Sequence, residues 1–126
     1  MNTLEAIEKR KSRRTYLTTP IDEIKVAVLE SQIQEYNSRS DLTMEFLRDG
    51  SKAFNGIHKS YGMFSGVRSL LLLKGPRKDP NLKEKIGYYG EKLVLQATKF
   101  DLGTCWVAGT FHRTSIKVDP ADDLIC

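Results

Sequence analysis

The sequence predicts an α+β protein, and three observations carry that prediction. Residues 80–100 keep one apolar face at helical spacing throughout. Leu42–Arg48 and Val67–Lys74 read as strands, the first by its alternation and the second by its apolar run. The order is helix, helix, strand, strand, helix, strand, without the regular alternation of a parallel α/β fold. At 126 residues the chain can bury one core but not two, so residues 1–126 are read as a single domain.

Taken in order, TLEAIEKR (3–10) forms a short helix, with Thr3 as its cap and Leu4 and Ile7 on its apolar side. Lys9, Arg10, Lys11, Arg13 and Arg14 close it, where cations offset the negative end of the helix dipole. Five cations around Ser12 exceed that need. Guanidinium and ammonium heads gathered with a hydroxyl at a chain turn can hold a phosphate through charge-assisted bonds. After an extended stretch, Thr19 caps a second helix, with Asp22 and Glu23 in its first turn. Ile24, Ala27, Val28 and Ile33 form its apolar face, which frays across residues 37–40. In the strand that follows, Leu42, Met44 and Phe46 share one side, and Asp49-Gly50 signals a turn.

Residues 51–66 form a glycine-rich loop with one helical turn. Phe54, Tyr61 and Phe64 serve there as core anchors or as the lining for a planar ligand. His58 stands alone and reads as a surface histidine. Val67–Lys74 is a strand buried on both faces, and residues 75–78 make an exposed turn. Asp79 caps the long helix and Pro80 takes its first position, where a missing N–H costs nothing. Ile86, Tyr89, Leu93, Ala97 and Phe100 form the apolar face, widened by Val94 and Leu95. Gly87 and Gly90 cost roughly 1 kcal/mol each against alanine, so close approach of another backbone is expected at both. Gly103 ends the helix in the C′ position. Thr104–Val107 is a buried strand ending at Ala108-Gly109, and residues 110–118 form a short helix capped by Thr110. Residues 121–123 turn, and residues 124–126 begin an apolar strand. A domain rarely ends inside such a strand. The expectation is the N-terminal part of a longer domain, or a sheet completed by another chain.

The net charge of +4 is concentrated at residues 9–14, which allows an anionic partner such as nucleic acid, a phosphate group or an acidic surface. No run approaches the roughly 18 apolar residues of a membrane span, and the N-terminus has no apolar secretion segment. The expected setting is the cytoplasm. Cys105 and Cys126 make neither a disulfide framework nor a metal-ligand set and read as buried thiols. No glycine-rich phosphate loop, nucleophile–base constellation or metal spacing is readable.

Two segments together resemble the FMN-dependent nitroreductase family. The stretch AIEKRKSRRTY (6–16) is similar to its amino-terminal signature. YGEKLVLQAT (89–98) with LGTCWVAG (102–109) is similar to its central helix and the strand entering the flavin site. YGMFSGVR (61–68) resembles a smaller branch of that family. The resemblance implies a three-layer fold, with a central, mainly antiparallel sheet flanked by helices. It implies that Arg10, Lys11, Ser12 and Arg14 bind the FMN phosphate and ribityl oxygens, with Arg13 facing solvent. Lys11 stands where an arginine is more usual. The resemblance further implies that Trp106, Val107, Ala108 and Gly109 lie against the flavin ring, and an acidic residue is more usual at position 108. Residues 51–66 lack the Asn-x-Gln-Pro-Trp-like stretch of many members. The C-terminal half that completes the phosphate site in the family has no counterpart in residues 1–126.

The implied activity is hydride transfer from NAD(P)H and electron delivery to a nitroaromatic or quinone-type acceptor, in a homodimer. No side chain is implied as acid or base. Two contrasting readings are a binding module that keeps the fold without the cofactor, and a small basic nucleic-acid binder using residues 9–14.

Overall fold

A computed structural model describes residues 1–55 and 64–126. The expectations for His58 and Tyr61 fall outside these described residues. Three α-helices (α1, Thr3–Lys9; α2, Glu23–Ser40; α3, Leu82–Lys99) and four short strands (β1, Glu45–Leu47; β2, Leu70–Leu72; β3, Lys74–Pro76; β4, Asp122–Leu124) make an α+β fold.

All named strand pairs are antiparallel. β1 pairs with β2, placing Phe46 opposite Leu71, and β3 pairs with β4, placing Gly75 opposite Asp123. Leu73 joins the two ribbons. Its N–H donates to the Cys126 carbonyl at 2.9 Å, and its carbonyl accepts from the Ile125 N–H at 2.9 Å. The Thr43 N–H donates to the Lys74 carbonyl at 3.1 Å. Residues 70–76 therefore run down the middle, between 43–47 on one side and 122–126 on the other. The expected turn at 75–78 begins two residues late, because Gly75 and Pro76 are in β3. A Cβ on Gly75 would stand 2.7 Å from Leu42 Cδ2 and 2.8 Å from Leu82 Cδ1, so the strand enters the core only with glycine there. Asp122 and Asp123 likewise lie in β4 and not in a turn.

One core lies on each face of this central strand. Ile33, Leu42, Met44, Leu73, Leu82, Ile86 and Leu93 pack between the sheet and helices α2 and α3. Ala53, Leu72, Ile116 and Leu124 pack on the other face, with Phe54 and Phe111 against them. The neighbours Leu72 and Leu73 point into different cores, as the two-residue period of a strand requires. Helices, sheet and a third layer of irregular chain result.

The helices differ from expectation in their faces more than in their existence. Asn2 caps α1 in place of Thr3, its Oδ1 accepting from the Glu5 N–H at 2.8 Å. Ala6 is fully buried where α1 meets α3, while Leu4 is 72% exposed and Ile7 55%. A close helix contact admits a methyl and turns the larger side chains out. Asp22 caps α2, accepting from the Ile24 N–H at 2.8 Å, so the helix starts after Thr19 and Pro20. Its buried stripe is Val26, Leu29 and Ile33, whereas Ile24, Ala27 and Val28 face outward. The helix does not fray at 37–40. The Asn37 side chain donates to the Met44 carbonyl at 2.9 Å and accepts from its N–H at 3.0 Å, clamping the last turn to the chain entering β1.

α3 begins at Leu82, with Asn81 in the capping position. Asp79 acts one turn earlier, accepting from the Asn81 N–H at 2.8 Å and pairing with Lys85 at 2.7 Å. Leu82, Ile86, Gly90, Leu93, Val94, Leu95, Ala97 and Thr98 are buried, so the wide apolar face is as expected. Asp101, not Gly103, is the left-handed residue at its end, with φ 61°. The Leu102 N–H reaches the Ala97 carbonyl at 3.0 Å and the Asp101 N–H reaches Thr98 at 2.9 Å, which is the Schellman pattern. Aspartate tolerates that conformation, and here its carboxylate also meets Lys9 at 2.5 Å. Among the described residues no helix is long and apolar enough to cross a membrane.

Candidate functional site

The basic run leaves the C-terminus of α1 and is threaded between two other segments. Ser12 pairs with Thr104 in an isolated parallel bridge, and the Arg13 N–H donates to the Thr104 carbonyl at 2.8 Å. Thr15 pairs with Ser65 in a second one, where the Tyr16 N–H donates to the Ser65 carbonyl and the Ser65 N–H to the Arg14 carbonyl, both at 2.9 Å. Two glycines make the threading possible. Gly66 has φ 76° and lies against the Tyr16 carbonyl. A Cβ on Gly103 would stand 3.0 Å from Arg13 Cγ. Gly103 therefore serves close approach and not helix termination.

Among the described residues Arg10, Lys11, Arg13 and Arg14 make no ion pair. Lys11, Ser12, Arg13 and Arg14 are exposed, and Arg10 is half-buried. Arg10 Nη1 and Thr104 Oγ1 are buried without a hydrogen-bond partner. Buried donors of this kind are costly, on the order of 1–3 kcal/mol each, unless something accepts from them. Lys9 stands apart from its neighbours, because Asp101 takes it. The Lys9 ammonium holds the Asp101 carboxyl below the usual aspartate range.

Beyond Thr104 the chain is extended and half-exposed; residues 104–107 form no buried strand. Their one ladder contact is the bridge to Ser12, and with no continuous partner the segment stays irregular. Trp106 and Val107 wall a cavity of about 530 Å³, together with Tyr16, Leu71, Val94 and Cys105 among others. Trp106 Nε1 donates to Glu91 Oε2 at 3.0 Å. A Cβ on Gly90 would stand 2.9 Å from Trp106 Cη2 and 2.8 Å from Leu73 Cδ1, so this mid-helix glycine serves close approach of two side chains and not, as expected, of another backbone. Gly87 has nothing within 4 Å of such a Cβ, and no packing reason for it exists among the described residues. Tyr16 is half-buried and its hydroxyl donates to the Arg13 carbonyl. Burial, followed by the neighbouring Cys105 thiol, pushes its phenol up to about 12.

Ala108 and Gly109 are exposed. Arg113 pins Ala108: Nη2 donates to the Ala108 carbonyl at 2.6 Å and to the Ile125 carbonyl at 3.1 Å, and Nη1 to the Leu124 carbonyl at 2.5 Å. Its guanidinium lies 4.7 Å from the Phe111 ring. Arg113 begins a short 3-10 turn, Arg113–Ser115, where a helix over 110–118 was expected. Both cysteines are half-buried, and burial raises the Cys126 thiol.

The eight expected site residues thus fall into three groups. Trp106 and Val107 face the cavity. Arg10, Lys11, Ser12 and Arg14 lie beside it, joined through the Ser12–Thr104 bridge, and Ala108 and Gly109 lie past it. Sequence reasoning missed four contributors: Thr104, Tyr16, Glu91 and Arg113. Glu91, Tyr16 and Thr104 stood inside the quoted motifs. Arg113 gave no signal, because its three acceptors are backbone carbonyls.

A family model described as "Putative TM nitroreductase" matches residues 2–125. The chain belongs to this nitroreductase family. A crystal structure of a nitroreductase family protein from Clostridium difficile 630 has a similar fold, with a TM-score of 0.74 and 17% identity over 99% of this chain and 80% of that one. No curated protein sequence matches the chain. The general kind of activity is oxidoreductase. In this nitroreductase, the Ser12–Thr104 bridge joins the two segments whose sequences resemble the family, 6–16 and 89–109.

Proposed function

We propose that the protein is an FMN-dependent NAD(P)H oxidoreductase that reduces nitroaromatic or quinone-type acceptors. The observation that carries this reading is the pair of partnerless buried groups, Arg10 Nη1 and Thr104 Oγ1, on two segments held together by the Ser12–Thr104 bridge. The donor set fits a phosphate monoester. Arg10, Lys11 and Arg14 supply cations free of ion pairs among the described residues, and Ser12 and Thr104 supply hydroxyls. The cavity beside it fits a planar ring. Its walls are mostly apolar, Trp106 offers an aromatic face, and about 530 Å³ lies within the range of small-molecule pockets.

When bound, FMN supplies the redox chemistry, taking hydride from NAD(P)H and passing electrons to the acceptor. The chain's own work is to hold and orient. Arg10, Lys11, Ser12 and Arg14 neutralise the phosphate. Trp106 and Val107 bound the ring. Ala108 and Gly109 keep side-chain bulk away from it, with Arg113 fixing the Ala108 carbonyl. No side chain need transfer a proton. The same reading makes the protein a cytoplasmic homodimer.

The double substitution Arg10→Ala/Arg14→Ala tests it. Loss of two charge-assisted contacts weakens FMN binding by about a hundredfold or more, with the fold retained. Unchanged flavin content in the folded double variant contradicts the assignment.

A further inference from the structure

We propose that Gly90 and Glu91 of α3 form a seat that fixes Trp106 as the ring-binding wall of the cavity, with Glu91 as its positioning residue. The proposal rests on the reading above in taking a planar ring as the occupant.

Two contacts hold the Trp106 side chain, and a third closes the seat behind it. The Glu91 carboxylate accepts the indole N–H at 3.0 Å. Gly90 leaves room for the far edge of the indole, since a Cβ there would stand 2.9 Å from Cη2. Leu73 Cδ1 closes the same spot from the sheet, 2.8 Å from that Cβ position. Among the described residues Glu91 makes no ion pair, and its hydrogen bond is the one to Trp106. Its neighbour Lys92 is turned to the Tyr36 and Tyr88 rings. Glu91 is thus committed to the indole.

The arrangement explains two costs in the sequence. A glycine in mid-helix costs roughly 1 kcal/mol, and Gly90 is retained where α3 is otherwise well packed. A tryptophan 38% exposed is unusual beside a core. Held at its N–H and approached by Gly90 at its six-membered ring, the indole is fixed as part of the cavity wall. A ring arriving there stacks on a surface already ordered, which avoids the entropy of immobilising a side chain on binding.

The chain has one tryptophan, so its emission reports on Trp106 alone. The test compares the full chain with its Glu91→Ala and Glu91→Gln variants. It measures emission anisotropy, melting temperature, retained FMN, and quenching by riboflavin, which carries the ring without the phosphate. In Glu91→Ala the indole moves more freely and riboflavin binds about tenfold more weakly, as expected for a lost bond to a charged group. The melting temperature stays close to wild type. Glu91→Gln keeps an acceptor and restores both signals. Wild-type anisotropy and affinity in Glu91→Ala overturn the seat, as does a Glu91→Gln variant as impaired as the alanine. If the wild type retains no FMN yet riboflavin quenches Trp106 in a Glu91-dependent way, the flavoenzyme reading fails and the seat stands. If FMN is retained and Glu91→Ala matches wild type, the reverse holds. Emission that responds to neither ligand overturns both.

Discussion

The Thr104 carbonyl accepts the Arg13 N–H at 2.8 Å while Ser12 stands opposite Thr104 in a parallel bridge. Residues 92 positions apart in sequence are thereby registered against one another. That one contact lets a basic run at the end of a short helix act with an aromatic segment past the end of a long one. The bridge uses backbone atoms, so it leaves the side chains of Arg10, Lys11, Ser12 and Arg14 available.

Thr104→Val separates ligand binding from stability at this bridge. Valine keeps the shape and removes a buried hydroxyl that has no partner. Thermal unfolding should show stability unchanged or higher by about 1 kcal/mol. FMN affinity should fall several-fold. A drop in stability would mean that the hydroxyl is already satisfied.

The two mid-helix glycines give opposite outcomes. Gly87→Ala meets open space and gains helix propensity, roughly 0.5–1 kcal/mol. Gly90→Ala collides with Leu73 and Trp106 and costs about 1–3 kcal/mol. Urea denaturation of the two variants checks the sign of each.

These glycines also mark how far the sequence could be read. Both looked alike within the helical pattern, and what distinguishes them is a tertiary neighbour, Trp106, sixteen residues beyond Gly90. The same limit applies to α1, where Leu4 and Ile7 outweigh Ala6 in any hydrophobic pattern. Packing against α3 favours the small residue because the helices come close. In α2, Ile24-Ala27-Val28 and Val26-Leu29-Ile33 are both acceptable helical stripes, and only the position of the sheet selects the second. The long helix, the existence of strands within 42–48 and 67–74, though shorter at 45–47 and 70–72, and the family resemblance were legible because each rests on local periodicity or a continuous motif. Arg113 and Glu91 act through contacts that leave no local pattern. Gly103 was assigned to helix termination because the left-handed residue is Asp101, which sequence rules rank below glycine.

Lys74 is buried at the centre of the sheet, 3.4 Å from Glu45 and 3.9 Å from Asp122, and Thr43 Oγ1 donates to Asp122 at 2.8 Å. Asp122→Ala leaves the ammonium with the exposed Glu45 alone and strands the Thr43 hydroxyl. The loss should be about 2 kcal/mol. Replacing Lys74 and Asp122 together by Met and Val should recover part of it, and a double-mutant cycle measures how much.

Acid stability should depend on Asp101 and Asp79. Hydrogen bonds from Lys9 and Lys85 hold their carboxyls below the usual range in the folded chain. A depressed folded pKa means the stabilisation is complete above the ordinary aspartate value and is lost as pH falls through the folded one. Asp101→Asn should flatten the acid limb of a denaturation midpoint plotted against pH. An unchanged limb would show that the Lys9 pair contributes nothing in solution.

The opposite sign holds for Tyr16, whose phenol is raised to about 12. The fold keeps it neutral. Its stabilisation is complete below the ordinary tyrosine value of about 10 and is lost as pH rises from there to about 12. Tyr16→Phe should remove that alkaline loss, at a cost of about 1 kcal/mol for the bond to the Arg13 carbonyl. Alkaline unfolding curves of the two proteins decide it.

The most direct measurement is the visible absorbance of the purified chain, before and after FMN is added and the excess removed. A retained flavin band that bleaches with NADH or NADPH is the predicted result. A wild-type protein that keeps no flavin after saturation with FMN would contradict the account, and would leave a nitroreductase fold serving as a binding module.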